Sequence, residues 1–345
     1  MYFALLIDGM NASPKHRILV APLDWGLGHA TRCAPLIDRW LEDGHEVILA
    51  SNGRSALWLK DRYPTLELLS DIPDYRVTYP TSGSMTLHFA KHFLRLRKVV
   101  QLEHAWLQRI VLEKNIHQVC SDNRYGLYHH DIPCSIITHQ LNLRVPFLLR
   151  WSVRRLLNRY LQQFSAVWIP DHAGSPNLSG SLSHGGKREF DTQFIGPLSR
   201  FQQTKSAEGN SDYQVVALIS GPEPSRANFE QQLRIVLEQL HRPALLVLGL
   251  PGSPIHEQKG LLQIVNHLSD TELANALRGS KLIICRSGYS TIMDLNALGV
   301  KALLVPTPEQ TEQEYLARYH AHEGKHSMVE QKRLSLEVLR TQLEH

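Results

Sequence analysis

The run from Lys281 to Val305, KLIICRSGYSTIMDLNALGVKALLV, constrains the fold of this chain more than any other stretch. Four apolar residues, Leu282 to Cys285, are followed by a polar turn, Arg286 to Tyr289. A helical pattern then runs from about Ser290 to Leu298, and a second apolar run starts at Ala302. Gly288 and Gly299 bound the helix. Two apolar runs of strand length on either side of one short helix predict a βαβ unit, the building block of a doubly wound α/β sheet. A helix that opens on Ser290 and Thr291 behind a glycine presents free backbone N–H groups, two hydroxyls and the positive end of its dipole to whatever lies beyond the strand. The expected guest is a phosphate. Asp294, one turn further on, is placed to accept hydrogen bonds from a vicinal diol such as a ribose, so a nucleotide fits better than a bare anion.

The N-terminal half repeats the pattern. Arg17 to Ala21 reads as a buried strand, and the loop PLDWGLGHATR leads into a helix from Cys33 to Glu42, followed by a strand from Glu46 to Ala50. Gly26 and Gly28 let a ligand approach the backbone, and His29 stands at the helix mouth, either as a cap or pointing inward. A dinucleotide reading of GLGHAT fails. The third glycine of that fingerprint is missing, and Asn52 and Arg54 stand where an acid is needed. Further strands are predicted at Leu66–Ser70, near Val119, at Ile136–Thr138, Trp168–Pro170 and Gln193–Ile195, with a long helix from about Thr86 to Asn115. Asp122, Asn123, His139 and Asn142 follow strand ends, where parallel sheets collect ligands. Each reads either as an acceptor-side contact or as a loop cap, and Asp122 also as a carboxylate that orients the His29 ring.

With 345 residues the chain exceeds what one core serves. The polar stretch QQTKSAEGNSD is the best linker, which divides the chain into an N-terminal domain at 1–198, a linker at 199–212 and a C-terminal domain at 213–345. The four cysteines lack metal or disulfide spacing, no apolar run is long enough to span a bilayer, and MYFALLIDGMN lacks a cationic start. These features predict a cytoplasmic protein. Residues 1–197 hold 22 Lys and Arg against 17 Asp and Glu, so the basicity belongs to the first half. It concentrates in two acid-free segments, 91–98 and 144–159, where cations alternate with apolar residues. Either is an ordinary helix with one solvated face, or a surface for anionic lipid, peripheral on the inner face of a membrane, or for a phosphate-bearing acceptor. No nucleic-acid-binding motif occurs, and no DxD sequence offers the carboxylate pair of a diphosphate-bound metal.

The run CRSGYSTIMDL, followed after the next strand by PTPEQTEQEYLA, resembles the donor-nucleotide signature of family 28 glycosyltransferases. That resemblance implies α/β architecture of the GT-B type, with two Rossmann-like doubly wound domains facing a central cleft and a final helix, Ser327 to Leu343, crossing back to the first domain. It places the nucleotide on Arg286, Ser287, Gly288, Ser290, Thr291 and Asp294, the base at the backbone near Leu268, and the donor sugar on Gln310, Gln313 and Glu314. The family's glycine-rich phosphate loop is replaced here by SGPEPSR, whose two prolines shift phosphate contacts toward Ser220, Gly221 and Arg226. Asp294 stands where the family has Glu, and Glu314 where it has a second Gln. The Gly28–His29 pair resembles the family's N-terminal loop, which implies His29 as general base, Asp122 as its partner, and Gly28, Asn123, His139 and Asn142 on the acceptor side. The implied reaction is an inverting, metal-independent transfer of a hexose or N-acetylhexosamine from a UDP-sugar to a hydroxyl of a lipid-linked or envelope glycan. UDP-sugar serves as co-substrate, with no other cofactor. The alternatives are a UDP-sugar 2-epimerase of the same architecture and a non-catalytic nucleotide-sugar-binding subunit.

Overall fold

The computed structural model describes residues 15–74, 85–145, 150–186, 188–202, 204, 212–252 and 255–344, with the side chains of 85–95 and 150 outside the description. The chain divides into two compact units. The first holds residues up to 25, 36–177 and 181–196. The second holds 26–35, 178–180 and everything from Pro197 onward.

The first unit is a parallel sheet of seven strands in the order β3-β2-β1-β4-β5-β6-β7. These are β1 (Arg17–Pro22), β2 (Glu46–Ala50), β3 (Glu67–Leu69), β4 (Gln118–Asp122), β5 (Cys134–Ile137), β6 (Ala166–Ile169) and β7 (Thr192–Phe194). The helices between them are α1 (Leu27–Glu42), α2 (Gly53–Arg62), α3 (Met85–Lys114) and α4 (Arg150–Leu161). The inner strands are buried along most of their length, β5 throughout and β1 everywhere but Arg17, as parallel strands covered on both faces must be, which is why Ile18 to Ala21 read as an unbroken apolar run. Leu19, Trp106, Leu107, Val119, Ile136 and Val167 join one apolar core. Pro35 lies inside α1, and the chain passes from one unit to the other at that residue.

The second unit is a seven-stranded sheet in the order β10-β11-β9-β8-β12-β13-β14. Its strands are β8 (Val215–Leu218), β9 (Ala244–Val247), β10 (His256–Lys259), β11 (Leu262–Val265), β12 (Leu282–Cys285), β13 (Leu303–Leu304) and β14 (Ser327–Met328). All pairings are parallel except β10 with β11. Its helices are α5 (Ser225–Leu240), α6 (Asp270–Gly279), α7 (Tyr289–Leu298), α8 (Thr311–His322) and α9 (Leu336–Glu344). Ser269 and Glu272 form a reciprocal capping box at the start of α6.

Three expectations need correction. The long continuous part of the second unit begins at Pro197, and Ser199 and Phe201, buried, with the half-buried Arg200 between them, belong to it rather than to a linker. Ser327 and Met328 form an edge strand, not the start of a helix. The final helix spans only Leu336–Glu344 and stays in its own unit: Leu339 joins that unit's core, and Gln232 on α5 donates to the Gln331 and Leu334 carbonyls at 2.9 and 3.0 Å.

Candidate functional site

In each sheet the strand order reverses at one point, and the loops leaving the carboxyl ends of the strands diverge there. In the second unit the reversal falls between β8 and β12, which pair with Cys285 opposite Leu218. The loop after β8 carries Ser220 and Gly221, and the turn after β12 carries Arg286, Ser287 and Gly288. Gly221 has φ +108°, and a Cβ there would find only the Thr307 hydroxyl, 4.0 Å away. Gly288 has no close neighbour either, its nearest being the Thr291 hydroxyl at 4.0 Å. Gly288 caps α7 without any side-chain bond to the helix N–H groups. Thr307 is 4% exposed, and its Oγ1 has no hydrogen-bond partner; the Gln310 Oε1 nearby in the same turn is likewise buried and partnerless. Buried polar atoms without partners are uncommon, and here one of them, the Thr307 hydroxyl, lies beside Gly221 in the unit that also carries the uncapped N-terminus of α7. Such a cradle can hold a diphosphate through N–H dipoles and hydroxyls. Leu268, half-buried between β11 and α6, lies in the same unit, at the end of a strand neighbouring β9.

The charged residues expected to grip that anion are turned elsewhere. Arg286 is fully buried. It donates to the carbonyls of Val305 and Pro306 at 3.1 Å each, to that of Ser225 at 3.2 Å and to Gln331 Oε1 at 2.9 Å, and it lies 3.9 Å from the Phe229 ring centroid. Burial takes its pKa down to about 10. This guanidinium ties the turn, α5 and the stretch after β13 together and is not a phosphate clamp. Arg226 is held by Glu223 at 2.6 Å, Glu230 at 3.1 Å and the Leu248 carbonyl at 3.2 Å. Glu223 also accepts from the Ala227 N–H at 3.1 Å, so its own carboxylate fills the anion position at the start of α5. Both partners of Arg226 stand at helical spacing in the sequence, a signal that was there to be read.

Asp294 faces inward too. Its Oδ1 accepts from the Ser199 hydroxyl at 2.6 Å, and its Oδ2 lies 3.7 Å from Arg200, which also meets Asp270 at 3.3 Å. A ribose would have to compete with Ser199 for that carboxylate, whose pKa is raised chiefly by burial. The Ser287 hydroxyl donates to the Gln313 carbonyl at 2.8 Å, and Ser290 donates to the Gly28 carbonyl at 2.8 Å. Gly28 therefore serves close packing: a Cβ there would lie 2.8 Å from Ser290 Oγ. Gln313 accepts from the Thr307 N–H at 2.9 Å, and Glu314 accepts from the Glu309 N–H at 3.2 Å and meets Arg318 at 3.4 Å. These two side chains shape the turn beside the cradle.

In the first unit the reversal lies between β1 and β4. Arg124, which sequence reasoning passed over, is fully buried there, donating to the Pro22 and Pro73 carbonyls and pairing with Glu103 at 3.0 Å. Asp122 and His139 are buried. Asn123 has φ +56° and a buried Oδ1 without a partner. Asn142 is a loop tie: its amide donates to the Ser181 and His184 carbonyls at 2.8 and 3.0 Å, and its oxygen accepts from Arg188 at 3.3 Å. His29 is half-buried, and its Nδ1 faces the Arg32 guanidinium at 3.0 Å. Because a guanidinium only donates, Nδ1 accepts and the neutral ring carries its proton on Nε2, the reverse of the arrangement expected for an Asp-oriented base.

A second histidine has that arrangement. His184 directs Nε2 to the fully buried Asp171 at 3.2 Å and stacks on Phe194 at 5.0 Å, while its Nδ1 has no partner among the described residues. Nothing in the local sequence marks this pair, whose members are separated by thirteen positions. Of the basic segments, Arg97, Lys98, Arg154, Arg155 and Arg159 are exposed, and Trp151 is 70% exposed with Arg155 over its ring at 5.2 Å; the side chains of 91–95 and the residues 146–149 lie outside the description. Among the described residues no helix is long and apolar enough to cross a membrane, and no group of metal-ligating side chains is found.

The domain model "Glycosyltransferase family 28 C-terminal domain" matches residues 255–345. The UDP-N-acetylglucosamine--N-acetylmuramyl-(pentapeptide) pyrophosphoryl-undecaprenol N-acetylglucosamine transferase of Haemophilus ducreyi is 25% identical over 213 residues, 59% of this chain and 55% of that protein. The chain thus spans about half the length of this relative. An uncharacterized glycosyltransferase of Methanosarcina acetivorans is 25% identical over 326 residues, covering 89% of this chain and 84% of its own. Among solved structures, the glycosyltransferase SnogD of Streptomyces nogalater superposes with a TM-score of 0.61 at 17% identity, covering 96% of this chain and 91% of that one. The architecture is that of the GT-B glycosyltransferases, with two Rossmann-like units.

Proposed function

We propose, for a chain that belongs through its C-terminal domain to glycosyltransferase family 28, that it transfers a hexose or N-acetylhexosamine from a UDP-sugar to a hydroxyl of a lipid-linked or envelope glycan. One observation carries the reading: the uncapped N-terminus of α7 behind Gly288, in the unit that also holds Gly221 beside the partnerless Thr307 hydroxyl, is built for a diphosphate. In a single displacement the acceptor oxygen bonds to the anomeric carbon as the bond from that carbon to the diphosphate breaks. The sugar inverts, UDP departs with the electron pair, and the hydroxyl proton passes to a base. Negative charge grows on the diphosphate where the α7 dipole and the N–H groups of Gly288 and its successors already point, without the help of a metal ion. Nucleotide sugars are the class whose leaving group matches such a cradle.

Gly288 has φ −67° and open space at its Cβ, so Gly288→Ala is expected to fold normally while intruding on the cradle. Calorimetric titration with UDP should show its affinity lowered about tenfold, and Thr307→Val, which removes a hydroxyl without changing shape, should behave alike. Unchanged UDP affinity in both variants overturns the proposal. Release of UDP from UDP-N-acetylglucosamine only when acceptor is supplied, undiminished by EDTA, supports transfer; isomerisation of the sugar nucleotide alone points to epimerase chemistry.

A further inference from the structure

Asp294 stands on α7 one turn inside the N-terminus that forms the cradle, the place the chain offers a ribose joined to that diphosphate, yet its carboxylate is already in use. Oδ1 accepts from the Ser199 hydroxyl at 2.6 Å, the length of a charge-assisted O–H···O⁻ bond. That hydroxyl cannot turn away without a second loss, because its oxygen accepts from the Phe201 N–H at 3.2 Å. Oδ2 lies 3.7 Å from Arg200 Nε, and the same guanidinium reaches Asp270, at the start of α6, at 3.3 Å. Arg200 also lies over the Phe201 ring, 4.9 Å from its centroid. The stretch that supplies these groups is docked on the helix itself, with the Leu198 N–H directed at Met293 Sδ at 3.2 Å and Ser199 1% exposed. All of these residues belong to the second unit.

A carboxylate receives a vicinal diol only when its oxygens can turn to the two hydroxyls. Here a charge-assisted bond to Ser199 must break for a bond to ribose to form, so the exchange yields little net affinity. Discrimination against a missing hydroxyl arises from the opposite arrangement, a buried polar group left unpaired until the hydroxyl arrives. Ser199 removes that condition at Asp294. We propose that Ser199, with Arg200, takes Asp294 out of ribose recognition and sets the donor specificity: the site accepts 2′-deoxyribonucleoside diphosphate sugars as readily as their ribonucleoside counterparts. The inference rests on the transferase reading for the presence of a nucleotide at α7, and deepens it by widening the class of donor. The hold on the donor then falls on the diphosphate, a group that both kinds of nucleotide present to the helix N-terminus.

The test is calorimetric titration of the full chain with UDP and with 2′-deoxy-UDP, which differ by one hydroxyl. The wild type should bind the two within about threefold of each other. Ser199→Ala, which releases the carboxylate, should bind UDP about tenfold more tightly than 2′-deoxy-UDP, with the gain falling on UDP. Thermal melts establish that this variant is folded before it is titrated. A wild-type preference for UDP beyond about threefold overturns the inference and leaves the transferase reading standing, and that comparison needs no variant. Equal affinities for the two nucleotides in folded Ser199→Ala overturn it as well, because Asp294 then lies away from the ribose whether Ser199 holds it or not. A wild type that binds neither nucleotide strikes the transferase reading and this inference with it.

Discussion

A neutral imidazole has one proton for two nitrogens, so whatever holds one nitrogen decides what the other can do. Arg32 holds His29 at Nδ1 and leaves the proton on Nε2; Asp171 holds His184 at Nε2 and leaves Nδ1 as an acceptor. A general base needs an open acceptor nitrogen with its opposite N–H fixed by a carboxylate. Steady-state kinetics of H29A and H184A rank the two: loss of the histidine that serves as base should lower kcat about a hundredfold with UDP affinity intact, and loss of the other less than about tenfold. Asp294 and Arg286 teach a related lesson: a charged residue at a strand end is as often a strut as a ligand contact, and only its partners distinguish the two.

At the scale of elements, the sheet edge at β13 and β14 carries a pH dependence. The His326 Nδ1 accepts from the Ala302 N–H at 3.3 Å, and burial, reinforced by His320 and two lysines, lowers its pKa from 6.5 to about 4. The folded state thus refuses a proton that the unfolded chain takes up below 6.5. Its contribution to stability is intact above 6.5, declines as pH falls, and is exhausted near 4, amounting to about 2 kcal/mol after allowance for partial exposure. Urea unfolding at several pH values in that window should show a smaller loss for H326N than for wild type; parallel losses would contradict it. The elements themselves were legible unevenly. RILVA, YQVVALIS and KLIIC announced strands because both faces of a parallel sheet are buried. The antiparallel edge strand HEQK at His256–Lys259 did not, being polar and largely exposed. Likewise, the glycines and the helix start that form the cradle were readable from local pattern, whereas the partners of Arg286, Asp294 and Asn142 come from residues tens of positions away and could be known only from the fold.

For the molecule as a whole, the C-terminal unit is not a continuous stretch of chain. Besides Pro197 onward it includes residues 26–35 and 178–180, with Ser290 bonded to Gly28 and His320 Nε2 placed 2.9 Å from the Leu178 carbonyl. A fragment from Pro197 to the C-terminus is expected to melt below the corresponding transition of the full chain because those two pieces are missing. A fragment beginning at Tyr213 should melt lower still, by several degrees, since it also loses Ser199 and Arg200 and strands Asp294 and Asp270 without them. Calorimetric scans of the full chain and the two fragments decide this: a Pro197 fragment that melts with the full chain's transition would show that residues 26–35 and 178–180 contribute nothing, and equal melting of the two fragments would show the same of residues 197–212.

The Gly28–Ser290 bond spans 262 positions. On a ribosome adding about 5–20 residues per second, the opening turns of α1 emerge roughly ten to fifty seconds before the helix that will receive them. During that interval the glycine loop is a docking element with no dock. The proposed donor cradle is therefore among the last features of the molecule to be completed, so that a truncated or stalled chain can possess a finished first sheet and still be unable to grasp a nucleotide.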